Sequence, residues 1–435
     1  MSHATGASRT KWAPNSLHTS GVLAVHKRSI ATLSAAQVCG GIAIAGSMPA
    51  GALLAVSLTG SEAFAGLAQT AGVLGAAIFA LPLARIALTK GRRPALATGY
   101  GLGILGAILV IGGAVSRQVV LVLIGSLFVG VASAASLQAR YAATDLALPE
   151  QRARSLSYVV WAATIGAVLG PNLLNFSGSV GLSLGLPQLS GLYVIAGISL
   201  TLAVAILVMA LRPDPFILAR QVRQAADPGN EIQHPKLRDG IEHLHTRPRA
   251  VLGIAAISIG HVVMIMVMVM TPVHMAHVDV TLQLIGLVIS VHVAGMYAFS
   301  PLVGSAVDRF GRVPMIIVGA MILAASCVIT GLAPADDVVV LGVGLFLLGL
   351  GWSFTLIAGS TLVTDSVDAD ARPSVQGLSD LCMNAAGALG GVVAGIMMWW
   401  VGYLWLCAVA TLPLVALIIW ISLPACRERS NARSI

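Results

Sequence analysis

The sequence predicts an all-α membrane protein: twelve transmembrane helices in two pseudosymmetric six-helix bundles. Three observations lead there. Of 435 residues, 57% are hydrophobic and only 10% charged, whereas a soluble domain carries about 25% charged residues. Apolar runs of about 20 residues, enough to cross a bilayer as a helix, recur along the whole chain. One constant shift carries Gly91, Arg92 and Pro94 onto Gly311, Arg312 and Pro314 (311 − 91 = 220), and the same shift takes Asp145 to Asp365 and Arg152 to Arg372. Internal repeats of this kind are a common design of secondary transporters.

The apolar runs place spans at 33–58, 62–88, 94–115, 119–142, 155–178 and 189–211, then at 250–275, 281–306, 314–333, 337–362, 374–399 and 402–423. The chain thus divides into a basic tail (1–30, with Arg9, Lys11, Lys27 and Arg28), an amino bundle (31–211), a polar linker (212–249), a carboxyl bundle (250–423) and a second tail (424–435). Orientation follows from the basic residues, which favour cytoplasmic loops. With the amino terminus inside, alternate loops hold Lys90, Arg92 and Arg93; Arg152 and Arg154; the linker; Arg309 and Arg312; and Arg372. Of 25 Lys and Arg, only Arg117 falls in an outer loop. Both termini are expected in the cytoplasm of a bacterial inner membrane, with the chain a monomer in the lipid bilayer.

Several classes are excluded. The net charge of +8 is spread over short loops rather than one face, so it is no nucleic-acid footprint. Five cysteines form no close pair, which argues against a disulfide framework. The first 30 residues hold no apolar core, and no signal peptide is expected. Gly101, Gly103 and Gly106 spell GxGxxG inside a span with no preceding strand. Gly181, Ser183 and Gly185 spell GxSxG without a triad. Neither carries chemistry; no cofactor is expected, and the protein is read as a carrier rather than an enzyme.

GSAVDRFGR, Gly304 to Arg312, occupies the turn after the eighth span. Gly304 lets helices approach, Asp308 can pair with an arginine or cap a helix, and Gly311 permits a tight turn. The plainer alternative is an interfacial charge cluster. The spacing resembles the signature of the major facilitator superfamily, and the resemblance covers nearly the whole chain. It implies the major facilitator fold and a latch between bundles that breaks when the cytoplasmic side opens. Gly304, Asp308, Arg309, Gly311 and Arg312 then form the main inner gate. Gly91, Arg92 and Arg93 survive in the amino half, where Leu88 and Thr89 replace the expected Asp and Arg. Asp145, Arg152, Asp365 and Arg372 complete the charge networks or are solvated loop charges.

GAVLGP, with Gly166, Gly170 and Pro171, suits close helix packing and resembles part of a motif of proton-coupled antiporters in the same superfamily. Asp380, in the eleventh span, either pairs with a basic gate residue or serves as a proton-coupling carboxylate.

Residues 264–296 hold six of 14 methionines and three of ten histidines. Met264 and Met268, like His292 and Met296, are four apart and share a helical face. Thioether and imidazole suit copper; methionine equally fills gaps in a core. A polar group at mid-membrane is usually functional, which singles out His292. The MxxxM and HxxxM pair resembles that of the CcoA-like (CalT) copper importers, a branch of this superfamily. That resemblance implies Met264, Met268, His292 and Met296 as ligands of a transported copper ion, with His274, Met275 and His277 collecting it at the outer mouth. The alternative cargo is a small organic molecule moved by proton coupling, either a drug-efflux or a riboflavin-like substrate.

Overall fold

The computed structural model describes residues 20–61, 63–226, 244 and 247–422, and all its long elements are helices. The amino bundle contains α1 (Ser20–Thr59), α2 (Ala63–Lys90), α3 (Arg92–Val115), α4 (Val119–Ala142), α5 (Arg152–Asn172), α6 (Leu174–Ser183) and α7 (Gly191–Ala210). A linker helix α8 (Pro215–Ala226) follows. The carboxyl bundle contains α9 (Pro248–Ala276), α10 (Leu282–Tyr297), α11 (Ser300–Phe310), α12 (Arg312–Leu332), α13 (Val338–Ser366) and α14 (Arg372–Ser422). Twelve crossings result, because α5 with α6 and α10 with α11 each make one. The 51 residues of α14 make two, divided where Gly402 takes φ 80°.

The repeat seen in the sequence is a repeat of conformation. Gly91 and Gly311, with φ of 97° and 95°, both turn the chain between helices, a left-handed geometry that glycine adopts without steric cost. Each is followed by an arginine that opens the next helix, Arg92 on α3 and Arg312 on α12.

Apolar side chains face outward: Ile198, Val339 and Trp399 are 65%, 74% and 81% exposed. Only lipid makes that arrangement favourable, since the hydrocarbon core has no water to avoid. Inside, small residues bring backbones together. On α5, a Cβ added at Gly166 would lie 2.6 Å from the backbone of Gly41, and one at Gly170 would lie 2.7 Å from Gly46 N, both on α1. The side chain of Pro171 lies outside the described residues.

Four element boundaries differ from the sequence reading. Helix α1 begins at Ser20, inside the expected tail, because His26, Ser29 and Thr32 are buried and His26 Nε2 meets Ser155 Oγ at 3.2 Å. Those contacts are polar and leave no mark on hydropathy. The linker is not featureless, since α8 forms inside it. The fifth span breaks after Asn172. The eighth breaks at Ala298–Phe299, where Pro301 opens α11, as proline favours the first helical turn.

Asp214 holds the linker to the amino bundle. Its carboxylate accepts the backbone N–H groups of Phe216 (3.0 Å) and Ile217 (3.3 Å) at the start of α8, and that of Arg93 (2.7 Å) at the start of α3. One side chain therefore caps two helices. Asp214→Ala is expected to lower stability by about 2 kcal/mol, two caps of about 1 kcal/mol each. Thermal unfolding of the purified protein checks this, and Asp214→Asn, which can still accept, should lose less.

Candidate functional site

The connections α2–α3, α4–α5, α11–α12 and α13–α14 gather at one end of the molecule, which carries most of the loop arginines and is called here the basic end. Each bundle holds the same internal ion pair there. Arg92 grips Asp145 in a two-point pair at 2.8 and 3.1 Å, and Arg312 Nε donates to Asp365 at 2.9 Å. These are one pair repeated by the 220-residue shift.

From these pairs the contacts cross between bundles. Arg92 Nη2 donates to Gln376 Oε1 at 2.6 Å, Arg152 of the amino bundle pairs with Asp365, and Arg312 donates to the Pro149 carbonyl. Asp308 accepts the backbone N–H groups of Ala153 (3.2 Å) and Arg154 (2.9 Å). The carboxylate of one bundle thus sits at the positive N-terminus of a helix of the other, a favourable charge–dipole contact. Gly304 is a point of close approach: a Cβ there would lie 2.7 Å from Ser157 Cβ and 2.8 Å from the Ala153 carbonyl. Linker and loop add Arg223–Asp370 at 3.2 Å and Arg247–Asp368 at 3.0 Å. Arg309 stands apart, exposed, with its guanidinium 5.3 Å from the Phe310 ring. Arg372 is buried near the network, with Nε lacking a partner. Among the described residues, the hydrogen bonds and ion pairs that join the two bundles all lie between mid-depth and this end.

Above these contacts, between the bundles, lies a cavity of about 130 Å³. Its polar wall comes from Gln37 of α1 and from Ser136 and Arg140 of α4. Ala163 of α5, Tyr297 of α10 and Trp352 of α13 face it from other sides. Gln37 Nε2 donates to Ser136 Oγ at 2.6 Å, while Gln37 Oε1 has no partner. Trp352 stands edge-on to Tyr297, ring centres 5.7 Å apart, and its Nε1 donates to His261 Nδ1 at 3.1 Å.

Arg140 is the residue that sequence reasoning missed. It lies near the end of an apolar run. In the fold its side chain is 2% exposed, and Nη2 donates to Asp380 Oδ1 at 2.7 Å across the bundle interface. Asp380 is fully buried. The pair is incompletely satisfied: Arg140 Nε and Nη1 and Asp380 Oδ2 have no hydrogen-bond partner. Two unpaired charges on spans four and eleven, neither with an opposite charge one turn away, were the available signal.

The methionine and histidine residues sit elsewhere. Met264, His292 and Met296 are buried in the core of the carboxyl bundle and Met268 is half-buried against it. None of the four lines the central cavity. His292 Nδ1 lies 2.8 Å from the Leu345 carbonyl. A carbonyl only accepts, so Nδ1 carries the hydrogen and Nε2 holds a lone pair, which is buried without a partner. His274 stacks on Tyr403 at 4.3 Å, Met275 is fully buried and His277 is exposed, so these three face different surroundings. Among the described residues, no three His, Cys, Asp or Glu side chains gather at metal-binding spacing.

The chain is similar to known proteins. The chain is 37% identical over 399 residues to YdeG, an MFS-type transporter of Bacillus subtilis strain 168, covering 91% of this chain and 92% of that one. It is 26% identical over 396 residues to the riboflavin transporter RfnT of Brucella anthropi, covering 90% and 94%. Among solved structures, the proton:xylose symporter XylE superposes with a TM-score of 0.71 at 15% identity, covering 91% of this chain and 96% of that one. The human organic anion transporter MFSD10 gives 0.69 at 15% identity, covering 91% and 99%; at such identity both comparisons bear on the fold. The Major Facilitator Superfamily model matches residues 33–281 and 252–434, and with the 37% identical relative this makes the chain a member of the Major Facilitator Superfamily.

Proposed function

We propose that this chain is a secondary-active carrier that binds a small organic molecule in the cavity between its bundles. It passes the cargo across a bacterial cytoplasmic membrane by alternating access, coupled to protons. The observation that carries this reading is the cavity itself: it is lined by residues of both bundles, among them Arg140, which is paired with the buried Asp380. Its volume of about 130 Å³ falls under the roughly 300–1,000 Å³ of sites for drug-sized ligands, which suits a small cargo. The riboflavin transporter among its relatives also favours an organic substrate.

The basic end is the cytoplasmic one, by the same charge rule that orients the sequence; α1 begins and α14 ends there. The latch then closes the inner side, leaving access from outside. The gate of Gly304, Asp308, Arg309, Gly311 and Arg312 with Gly91, Arg92 and Arg93 must part for release, together with the Asp145, Arg152, Asp365 and Arg372 network. Bringing Trp into the cavity at Ala163 tests the site. In vesicles screened with labelled organic acids, sugars and amines, wild type should accumulate at least one class, and Ala163→Trp none. Uptake that persists in the plugged variant refutes the cavity as the site.

A second reading is copper import through Met264, Met268, His292 and Met296, with His274, Met275 and His277 as collectors. One observation favours it: the buried, unpartnered Nε2 of His292, with Nδ1 oriented by a carbonyl as metal-binding histidines usually are. It predicts that His292→Leu and Met264→Leu each abolish cellular copper accumulation at unchanged membrane level. Copper uptake that survives both substitutions ends this reading.

A further inference from the structure

Arg140 and Asp380 differ in kind from the other buried charges. The gate pairs are duplicated, Arg92–Asp145 in one half and Arg312–Asp365 in the other. The shift that relates them puts Ser360 in the place of Arg140 and Val160 in the place of Asp380. The two halves therefore need the gate pairs to close, but only one interface position carries this third pair. It is not scaffold common to both bundles.

The pair is also unfinished. Arg140 lines the cavity with two of its nitrogens lacking acceptors, although only 2% of the side chain is exposed. Guanidinium donors are matched best by carboxylate oxygens, and a buried donor left without an acceptor is costly. The remaining polar walls, Gln37, Ser136 and Tyr297, are neutral. An anion seated on Arg140 would meet Asp380 as a like charge, and an extra uncompensated charge at this depth is strongly unfavourable. A proton on Asp380 Oδ2, which has no partner, removes that charge.

We propose, resting on the cavity as the substrate site, that the cargo is a small organic anion with a single carboxylate. It is held by Arg140 and crosses together with a proton carried on Asp380. The carboxylate accepts from an Arg140 nitrogen that lacks an acceptor, and the proton enters from water on the open side. The loaded site holds guanidinium, carboxylate and neutral Asp380, so its charge matches that of nothing more than one ion pair. Protonation also loosens the Asp380–Arg140 contact, which joins the bundles, so loading frees one tie of the closed inner side. Release of anion and proton lets the pair re-form and close that side again.

The groups around Asp380 allow this exchange. Arg140 faces it from α4, with its guanidinium 4.8 Å from the centre of the Tyr141 ring, and Tyr141 Oη bonds Ser379 Oγ at 3.4 Å. Arg92 acts on it from α3, held by Asp145. Tyr297 from α10 and His261 from α9 both act on Arg140. Helix α2 meets this face of α14 at Gly377 with Ala80 and Ala84. No second carboxylate appears among these named groups except Asp145, which is committed to Arg92.

The test uses the full-length protein in detergent with lactate and benzoate, each against its amide. Both carboxylates should raise the thermal midpoint, and lactamide and benzamide should not. Arg140→Gln should weaken carboxylate binding roughly 10- to 100-fold, the loss of a charge-assisted contact. The double variant R140Q/D380N, which leaves no orphan charge, should weaken it alike and guards against mere misfolding. Wild type should take up a proton from weakly buffered solution as carboxylate binds; D380N should bind without that uptake. Equal binding of amides, indifference to Arg140, uptake of protons by D380N, or no carboxylate binding would each overturn the proposal. If another class of label accumulates and Ala163→Trp blocks it, the cavity stands and only the anion assignment falls.

Discussion

Arg140→Ala is expected to lower stability by about 3–5 kcal/mol, the range for removing one partner of a buried ion pair, and to abolish transport. Asp380 is fully buried and one of its oxygens already lacks a partner, so truncating Arg140 strands a carboxylate between two helical bundles. Adding Asp380→Asn to the same chain removes the stranded charge and should recover most of the stability but none of the transport. The two effects are therefore strongly non-additive, as expected for residues in direct contact. Thermal unfolding of the two single variants and the double variant measures this. A single Arg140→Ala variant as stable as wild type would mean that the pair bears no load.

Gly304→Leu is expected to force the basic end apart. The nearest atoms to an added Cβ include the Ala153 carbonyl at 2.8 Å, and backbone cannot rotate away as a side chain can. Helices α11 and α5 must separate, and with them go the Asp308 contacts to Ala153 and Arg154. The population should shift toward the state open at this end, with transport lost because the closed state is no longer reached. Spin labels at Glu150 and Phe310, both exposed, should report a longer distance than in the parent. Gly304→Ala should show a smaller shift in the same direction. An unchanged distance in the leucine variant would show that the latch tolerates a side chain at this close approach.

Much of the proposed gate was legible because its residues repeat. Gly91, Arg92 and Asp145 recur as Gly311, Arg312 and Asp365, and a chain that uses one turn twice needs the same residues twice. The partners across the interface were less legible. Asp308 pairs with Arg312 one turn on, at 3.3 Å, but its two backbone N–H partners on α5 follow from where that helix begins. The linker helix α8 was missed because its apolar face is short and its other face charged, so no hydropathy window registers it. Met264, Met268, His292 and Met296 were legible as an unusual run. Their sequence spacing, however, carries no information about which side of the helix meets the cavity.

The amino acids alone determined that the chain crosses a membrane twelve times, that its halves repeat, and which loops carry the positive charge. These properties depend on local hydrophobicity and on residue identity at fixed offsets, which is information a linear string contains. Tertiary structure alone decided that Arg140 finds Asp380 across the interface, that Gly304 touches Ser157, and that the methionines fill a bundle core rather than line the cavity. Those outcomes depend on how helices rotate and tilt against one another, which is set by packing summed over the whole bundle.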